Sequence, residues 1–140
     1  MTDPVQLNVD ELQAAVARVA ADSPIVMVNL LRYRARADYG GRHDIAPCSG
    51  REAYYQRYSV PTFEVIRRLG GRVFWFGNVQ VPLFAPADEK WDDVLLVEYP
   101  SFATVLTLVA DPEYQANVFH RTAALLDTRV MATTTAAGIG

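Results

Sequence analysis

Residues 24–33 read PIVMVNLLRY, and this stretch decides the fold. Seven of its ten residues are aliphatic or aromatic, several of them β-branched, and a proline opens the run. That composition predicts a buried β-strand over 25–33. Strand alternation then places Ile25, Met27, Asn29, Leu31 and Tyr33 on one face and Val26, Val28 and Leu30 on the other. Both faces are apolar except at Asn29. A side-chain amide taken from water without partners costs on the order of 1–3 kcal/mol. Asn29 therefore needs either backbone partners or a ligand.

Working outward, residues 8–21 place Leu12, Val16 and Val19 at helical spacing behind a capping Asn8 or Asp10, which predicts a short first helix. Residues 34–50 carry Gly40-Gly41, Pro47 and Ser49-Gly50 without periodicity and read as a long loop, a candidate lid. From Gly50 to Leu69 the pattern is helical, with Tyr54, Tyr58, Val65 and Leu69 on one face. Pro61 is expected to kink or split this helix, because it lacks a donor and clashes one turn back. Gly70-Gly71 ends it.

Residues 72–81 (RVFWFGNVQV) and 91–100 (WDDVLLVEYP) are two further strands, the first apolar on both faces in its first half and the second through Val94 and Leu96 against Leu95 and Val97. In the first, Val73 and Trp75 are expected to alternate with Phe74 and Phe76. Ser101 caps a helix over 102–109. Asp111-Pro112 opens another that runs to about Leu126, with proline at the first helical position where its missing N–H costs nothing. RVMATT, 129–134, closes the pattern as a last strand.

The order after the first helix is β, α, β, β, α, β. This predicts a ferredoxin-like α+β fold with a four-stranded antiparallel sheet and an extra N-terminal helix. The 140 residues are expected to form a single domain, with residues 1–23 as a helical extension and 24–134 as the core. Both core helices pack on one sheet face. The apolar second face then needs cover, and the simplest cover is a second copy, giving a homodimer through the sheet face.

Composition excludes several classes of function. Net charge is −3 and the 13 basic residues, mostly arginines, are dispersed, so nucleic acid is not an expected partner. No apolar run approaches the roughly 20 residues that span a bilayer, and no signal pattern opens the chain, so no membrane association is expected. The single cysteine, Cys48, permits no intrachain disulfide and fits a reducing cytoplasm. Cys48 has no sequence neighbour to activate it. His43 and His120 form no metal-ligand spacing, and no phosphate-cradling glycine loop occurs, so neither metal nor cofactor is expected.

The segments NLLRYR, SGREAYYQRY, GGRVFWFG, WDDVLLVEYPS and DPEYQANVFHRTAALLDTRVMATT together resemble the domain-of-unknown-function family 1330, in its longer variant. The likeness covers roughly residues 24–134. It implies a dimeric α/β-barrel architecture of ferredoxin-like units and a cytosolic protein, and assigns no activity.

Two functional readings follow from the residues. In one, the chain is a small cofactor-independent enzyme, oxygenase- or isomerase-like, acting on a hydrophobic or aromatic small molecule. His120 then serves as acid or base and Asn29 orients the substrate. Arg32 or Arg121 holds an anionic group, and Tyr54, Tyr58, Trp75, Tyr99 and Tyr114 form aromatic walls. A fold-level analogy with cofactor-free and haem-degrading monooxygenases, which place an asparagine, a tryptophan and a histidine around an aromatic substrate, is the basis for joining Asn29, Trp75 and His120. In the other reading the same pocket binds a small molecule without turnover. Asp92, at the start of a strand, is a further candidate base.

Overall fold

The computed structural model describes residues 3–6, 8–19 and 22–138. Among them, a first helix α1 (Val9–Val16) is followed by β1 (Ile25–Tyr33) and then by one helical rod in three parts. These parts are α2 (Gly50–Glu52), a π-helical segment (Ala53–Tyr58) and α3 (Ser59–Arg68). Next come β2 (Arg72–Asn78), β3 (Asp93–Tyr99), α4 (Phe102–Ala110), α5 (Pro112–Ala124) and β4 (Leu125–Thr133). The four strands form one antiparallel sheet in the order β2-β3-β1-β4. This is the ferredoxin-like α+β arrangement expected from the order of elements.

The capping chemistry sets the helix boundaries. The Ser101 side chain accepts from the Thr104 amide at the start of α4, and Asp111 accepts from the amides of Glu113 and Tyr114 at the start of α5. Each such cap contributes about 1 kcal/mol. Asn8 caps α1, whose last helical residue, Val16, falls short of the expected 21; residues 20 and 21 lie outside those described. α5 hands over to β4 at Ala124/Leu125 with no loop between them, so β4 begins four residues earlier than its sequence pattern indicates.

Pro61 neither breaks nor splits the helical rod. The turn before it widens, so that the Ser59 amide reaches the Tyr54 carbonyl five residues back. A π-helical turn inserts a residue into the ladder, and here it stands immediately upstream of the proline. Another close approach fixes the start of the rod. The Gly50 amide donates to the Arg34 carbonyl at 3.1 Å, and a Cβ at this position would meet the Arg34 carbonyl and lie 2.6 Å from that of Ala124.

Register decides the two sheet faces. Asn29 pairs with Leu95 and Val130, so Met27, Asn29, Leu31, Leu95, Val97 and Tyr99 share the face covered by helices. The core lies there: Ile25, Leu31, Leu95 and Leu125 are at most 2% exposed. The opposite face carries Val26, Val28, Leu30, Val94 and Leu96, and no element covers it among the described residues. In β2 the expected alternation changes sense. The pairing slips between Val73 and Trp75, leaving Phe74 as the extra residue of a bulge. One extra residue flips every side chain after it, so Trp75 pairs with Leu96 on the uncovered face, while Val73 and Phe76 point to the helices. Phe74, Trp75 and Met131 are 51%, 54% and 48% exposed.

Candidate functional site

A cavity of about 580 Å³ opens between the sheet and its helical cover, within the range usual for small-molecule sites. Its floor is the inward sheet face, from Met27 and Asn29 across Leu95 and Val97 to Tyr99. Tyr54, Tyr58 and Ile66 from the helical rod form one wall, and Val105, Leu108, Tyr114 and Arg121 from α4 and α5 form another. The mouth is bordered by the N-terminal segment through Gln6, Glu11, Leu12, Ala15 and Arg18. Residues 34–50 contribute nothing to the lining, so the expected lid loop is elsewhere. It is tied down beside α5 instead, with the Ala37 amide donating to the Cys48 carbonyl and the Asp38 amide to that of Ala123. α1 has no buried residue, but Leu12, Ala15 and Val16 pack partly buried against the core, and the Arg121 guanidinium donates to the Val5 carbonyl ahead of the helix at 3.0 Å.

Two polar groups stand out in this apolar space. The Asn29 Nδ2 donates to the carbonyls of Leu95 at 3.1 Å and Met27 at 3.3 Å. Both neighbours are acceptors, which fixes the amide orientation. Its Oδ1 accepts no hydrogen bond from any described residue. Arg121 is half-buried, and no ion pair joins it to a carboxylate among the described residues. The surrounding phenols are poor acids here: burial pushes the hydroxyls of Tyr54, Tyr58 and Tyr99 well above their ordinary range. The cavity thus offers the Asn29 amide oxygen, the Arg121 guanidinium and neutral aromatic walls, with Gln6, Glu11 and Arg18 at its mouth.

The remaining candidate residues lie outside this cavity. His120, next to Arg121 on α5, turns toward the 34–50 loop. Its Nδ1 is 2.7 Å from the Tyr39 hydroxyl, which in turn accepts from Arg57 at 3.3 Å. The Tyr39 hydroxyl thus joins the His120 ring to the Arg57 guanidinium and engages the imidazole away from the cavity. Partial burial and the positive charges of Arg57 and Arg42 hold the His120 pKa below its ordinary value. Trp75 lies on the uncovered sheet face because of the β2 bulge. Arg32 is on that face too, opposite Asp127, where it borders a shallow depression of about 300 Å³ with Trp91 and Arg129. The proposed trio of Asn29, Trp75 and His120 is therefore divided among three places. Asp92 uses Oδ2 to accept from the Tyr33 amide at 2.8 Å, a backbone-fixing role at a strand end.

Sequence reasoning overlooked Asp93, a carboxylate with no solvent exposure. It accepts from the hydroxyls of Tyr33 at 2.6 Å and Tyr55 at 2.7 Å, from Asn78 at 2.8 Å and from Arg51 at 3.0 Å. Burial works against its charge, but these hydrogen bonds and the Arg51 guanidinium outweigh it and hold the pKa below the usual carboxylate value. The signal was present in the alternation: Asp93 shares its parity with Leu95, Val97 and Tyr99. Every oxygen is engaged, so this cluster locks the end of the sheet to the helical rod. From it a run of ring contacts, Tyr33 to Tyr54 at 5.6 Å and Tyr54 to Tyr58 at 5.1 Å, leads into the cavity wall.

Fold and site together define a ferredoxin-like α+β protein with an interior cavity between sheet and helices. The family model described as "Domain of unknown function (DUF1330)" matches residues 49–134, more than half of the chain, and the chain belongs to that family. Among solved structures, the RPA0582 protein of unknown function from Rhodopseudomonas palustris is 35% identical over 98% of this chain and 100% of its own, with a TM-score of 0.83. A structure of the methylated RPA0582 protein is 36% identical over 97% of each chain, also with a TM-score of 0.83. A dimeric protein of unknown function and ferredoxin-like fold from Bacteroides fragilis is similar at 12% identity over 83% of this chain and 100% of its own, with a TM-score of 0.45. No curated protein matches the chain. Among the described residues no helix is long and apolar enough to cross a membrane, and no group of three or more metal-ligating side chains occurs.

Proposed function

We propose that this chain binds an amphipathic small molecule in the cavity between sheet and helices: a hydrophobic or aromatic body, an anionic group on Arg121 and a hydrogen-bond donor on the Asn29 Oδ1. The observation that carries the reading is the convergence of that half-buried guanidinium and the outward-facing amide oxygen on one apolar cavity. Burying a cation without a counter-ion is costly, and a carboxylate in bidentate contact with Arg121 would relieve that cost. The tyrosines and aliphatic side chains supply the apolar contact. Binding without turnover is better supported than catalysis, because the His120 imidazole faces the 34–50 loop and the cavity's phenols are strongly disfavoured as bases.

The uncovered sheet face supports a second element of the proposal, a homodimer in which two such faces meet around a two-fold axis. Exposed Phe74, Trp75 and Met131 extend the apolar patch of Val26, Val28, Leu30 and Leu96. The unpaired, buried Cys48 is consistent with a cytoplasmic setting.

Thermal-shift screening of the full chain tests the ligand reading, using decanoate and 2-naphthoate against decylamine and naphthalene. The carboxylates are expected to raise the melting temperature in a saturable way, since a ligand at 100 times its Kd stabilises by about 2.7 kcal/mol. Equal shifts from the amine or the uncharged compound would contradict the role of Arg121.

A further inference from the structure

The connection between β2 and β3 is zipped at its root, where the Val79 amide donates to the Asp92 carbonyl at 2.8 Å and the Asp92 amide to that of Leu31 at 2.8 Å. Beyond that root, every residue from 80 to 90 is exposed. Its apolar members are not spared: Val81 is 61% exposed, Leu83 81% and Phe84 101%. Three large apolar side chains held in water on one short segment forgo roughly 1.5–3 kcal/mol each in burial. A solitary chain gains nothing from this.

The returning limb shows which side of the sheet the arm serves. Pro86, Asp88, Glu89, Lys90 and Trp91 border the shallow depression together with Arg32, Asp127 and Arg129 of the uncovered face. The Arg129 guanidinium lies over the Trp91 ring, 5.5 Å from its centroid. The arm therefore continues the apolar face rather than the helical side.

The four strands have 7, 7, 9 and 9 residues, which at standard rise and spacing gives a face of roughly 500 Å² in projection. A stable specific interface needs about 800 Å² per partner. The accessible surface of a pleated, side-chain-covered face exceeds its projection, so the face is of the size a second copy would cover, and an arm lying on that copy adds to it. A loop of this length reaches up to roughly 20 Å, twice the roughly 10 Å that separates packed sheets, so its tip can pass the plane of an opposing sheet.

We infer that the arm of residues 80–90 crosses onto a second copy of this chain and buries Leu83 and Phe84 against it, so that each copy clasps the other. This rests on the face-to-face dimer proposed above. The test is sedimentation equilibrium of the full chain, compared with the arm variant L83S/F84S and the face variant Leu96→Lys. Because Leu83 is 81% and Phe84 101% exposed in their own chain, their replacement is expected to leave the monomer's fold intact, which its circular dichroism checks.

The expected result is a wild-type dimer at micromolar concentration whose dissociation constant rises about 100-fold or more in the arm variant. An unchanged dissociation constant overturns the arm and leaves the face reading standing. A dimer that survives Leu96→Lys but not L83S/F84S supports the arm and overturns the face. A monomeric wild type overturns both. Sedimentation of the wild type with phosphatidylcholine–phosphatidylglycerol vesicles, lost in the arm variant, would assign the arm to a lipid surface and overturn the proposal.

Discussion

Asn29 on β1 donates its side-chain amide to the carbonyl of Leu95, its register partner on β3, at 3.1 Å. The sheet itself therefore satisfies the nitrogen, and the second donation, to Met27, completes it. The oxygen is left facing the cavity. What looked in the sequence like a choice between a backbone role and a ligand role is divided between the two ends of one amide.

Replacing Asn29 should expose this division. Asn29→Leu removes the acceptor as well as the donors, and it strands the Leu95 carbonyl without its side-chain donor. The expected outcome is loss of about 1 kcal/mol in stability together with tenfold or greater weakening for ligands that donate a hydrogen bond. Calorimetric titration and denaturant unfolding check the two effects separately.

Arg121 and His120 are neighbours in sequence on opposite errands, and paired substitutions should separate them. Arg121→Gln is expected to weaken carboxylate binding by tenfold or more, while His120→Ala leaves affinity within twofold of wild type. Titration calorimetry with 2-naphthoate measures both. Equal losses in the two variants would place His120 at the ligand after all.

His120 also predicts a pH response. Its folded pKa is depressed below the ordinary 6.5, so the unfolded chain binds the proton more readily than the native one. Stability from this group is complete above about 6.5 and falls as pH drops toward the depressed folded value. Imidazole nitrogen shifts in NMR should show a titration midpoint below 6.5, rising in Arg57→Gln.

Asp93 has a depressed pKa for a different reason, since four side chains donate to it. Its contribution is present above the unfolded carboxylate value of about 3.9 and is lost as pH falls through the lower folded value. Asp93→Ala removes the buried acceptor of two phenols and leaves Arg51 and Asn78 only the Tyr55 hydroxyl to donate to. We expect destabilisation of about 3 kcal/mol, moderated because Arg51 is partly solvated. Urea unfolding between pH 2 and 7 should show an acid-side slope that the variant lacks.

Gly50 marks a site where one methyl group suffices. Its Cβ would collide with the carbonyls of Arg34 and Ala124, and Gly50→Ala should cost about 3 kcal/mol or more. A melting temperature unchanged from wild type would contradict the close approach.

The strands, caps and order of elements were legible because they depend on local chemistry: alternation in 25–33, Ser101 and Asp111 as caps, Pro112 at a first helical position. Three features of the site were not. The bulge at Phe74 reverses Trp75, and a single extra residue leaves no mark in hydrophobic alternation. The 34–50 loop looked like a lid by length alone, whereas its amides tie it to α5. The acidic lock at Asp93 joins partners 15 to 60 residues apart, and only its parity with Leu95 and Val97 hinted at burial. Four of the five proposed aromatic wall residues, Tyr54, Tyr58, Tyr99 and Tyr114, do line the cavity, because each falls on the inward face of its element.

The most direct measurement of the central claim is an NMR titration of the isotope-labelled chain with 2-naphthoate, following the Asn29 side-chain amide and the Arg121 guanidinium. Saturable shifts are expected at these two groups and at the Leu95 and Val97 amides, with Trp75 and His120 unmoved. Shifts confined to Trp75, Leu96 or His120, with Asn29 and Arg121 silent, would contradict it.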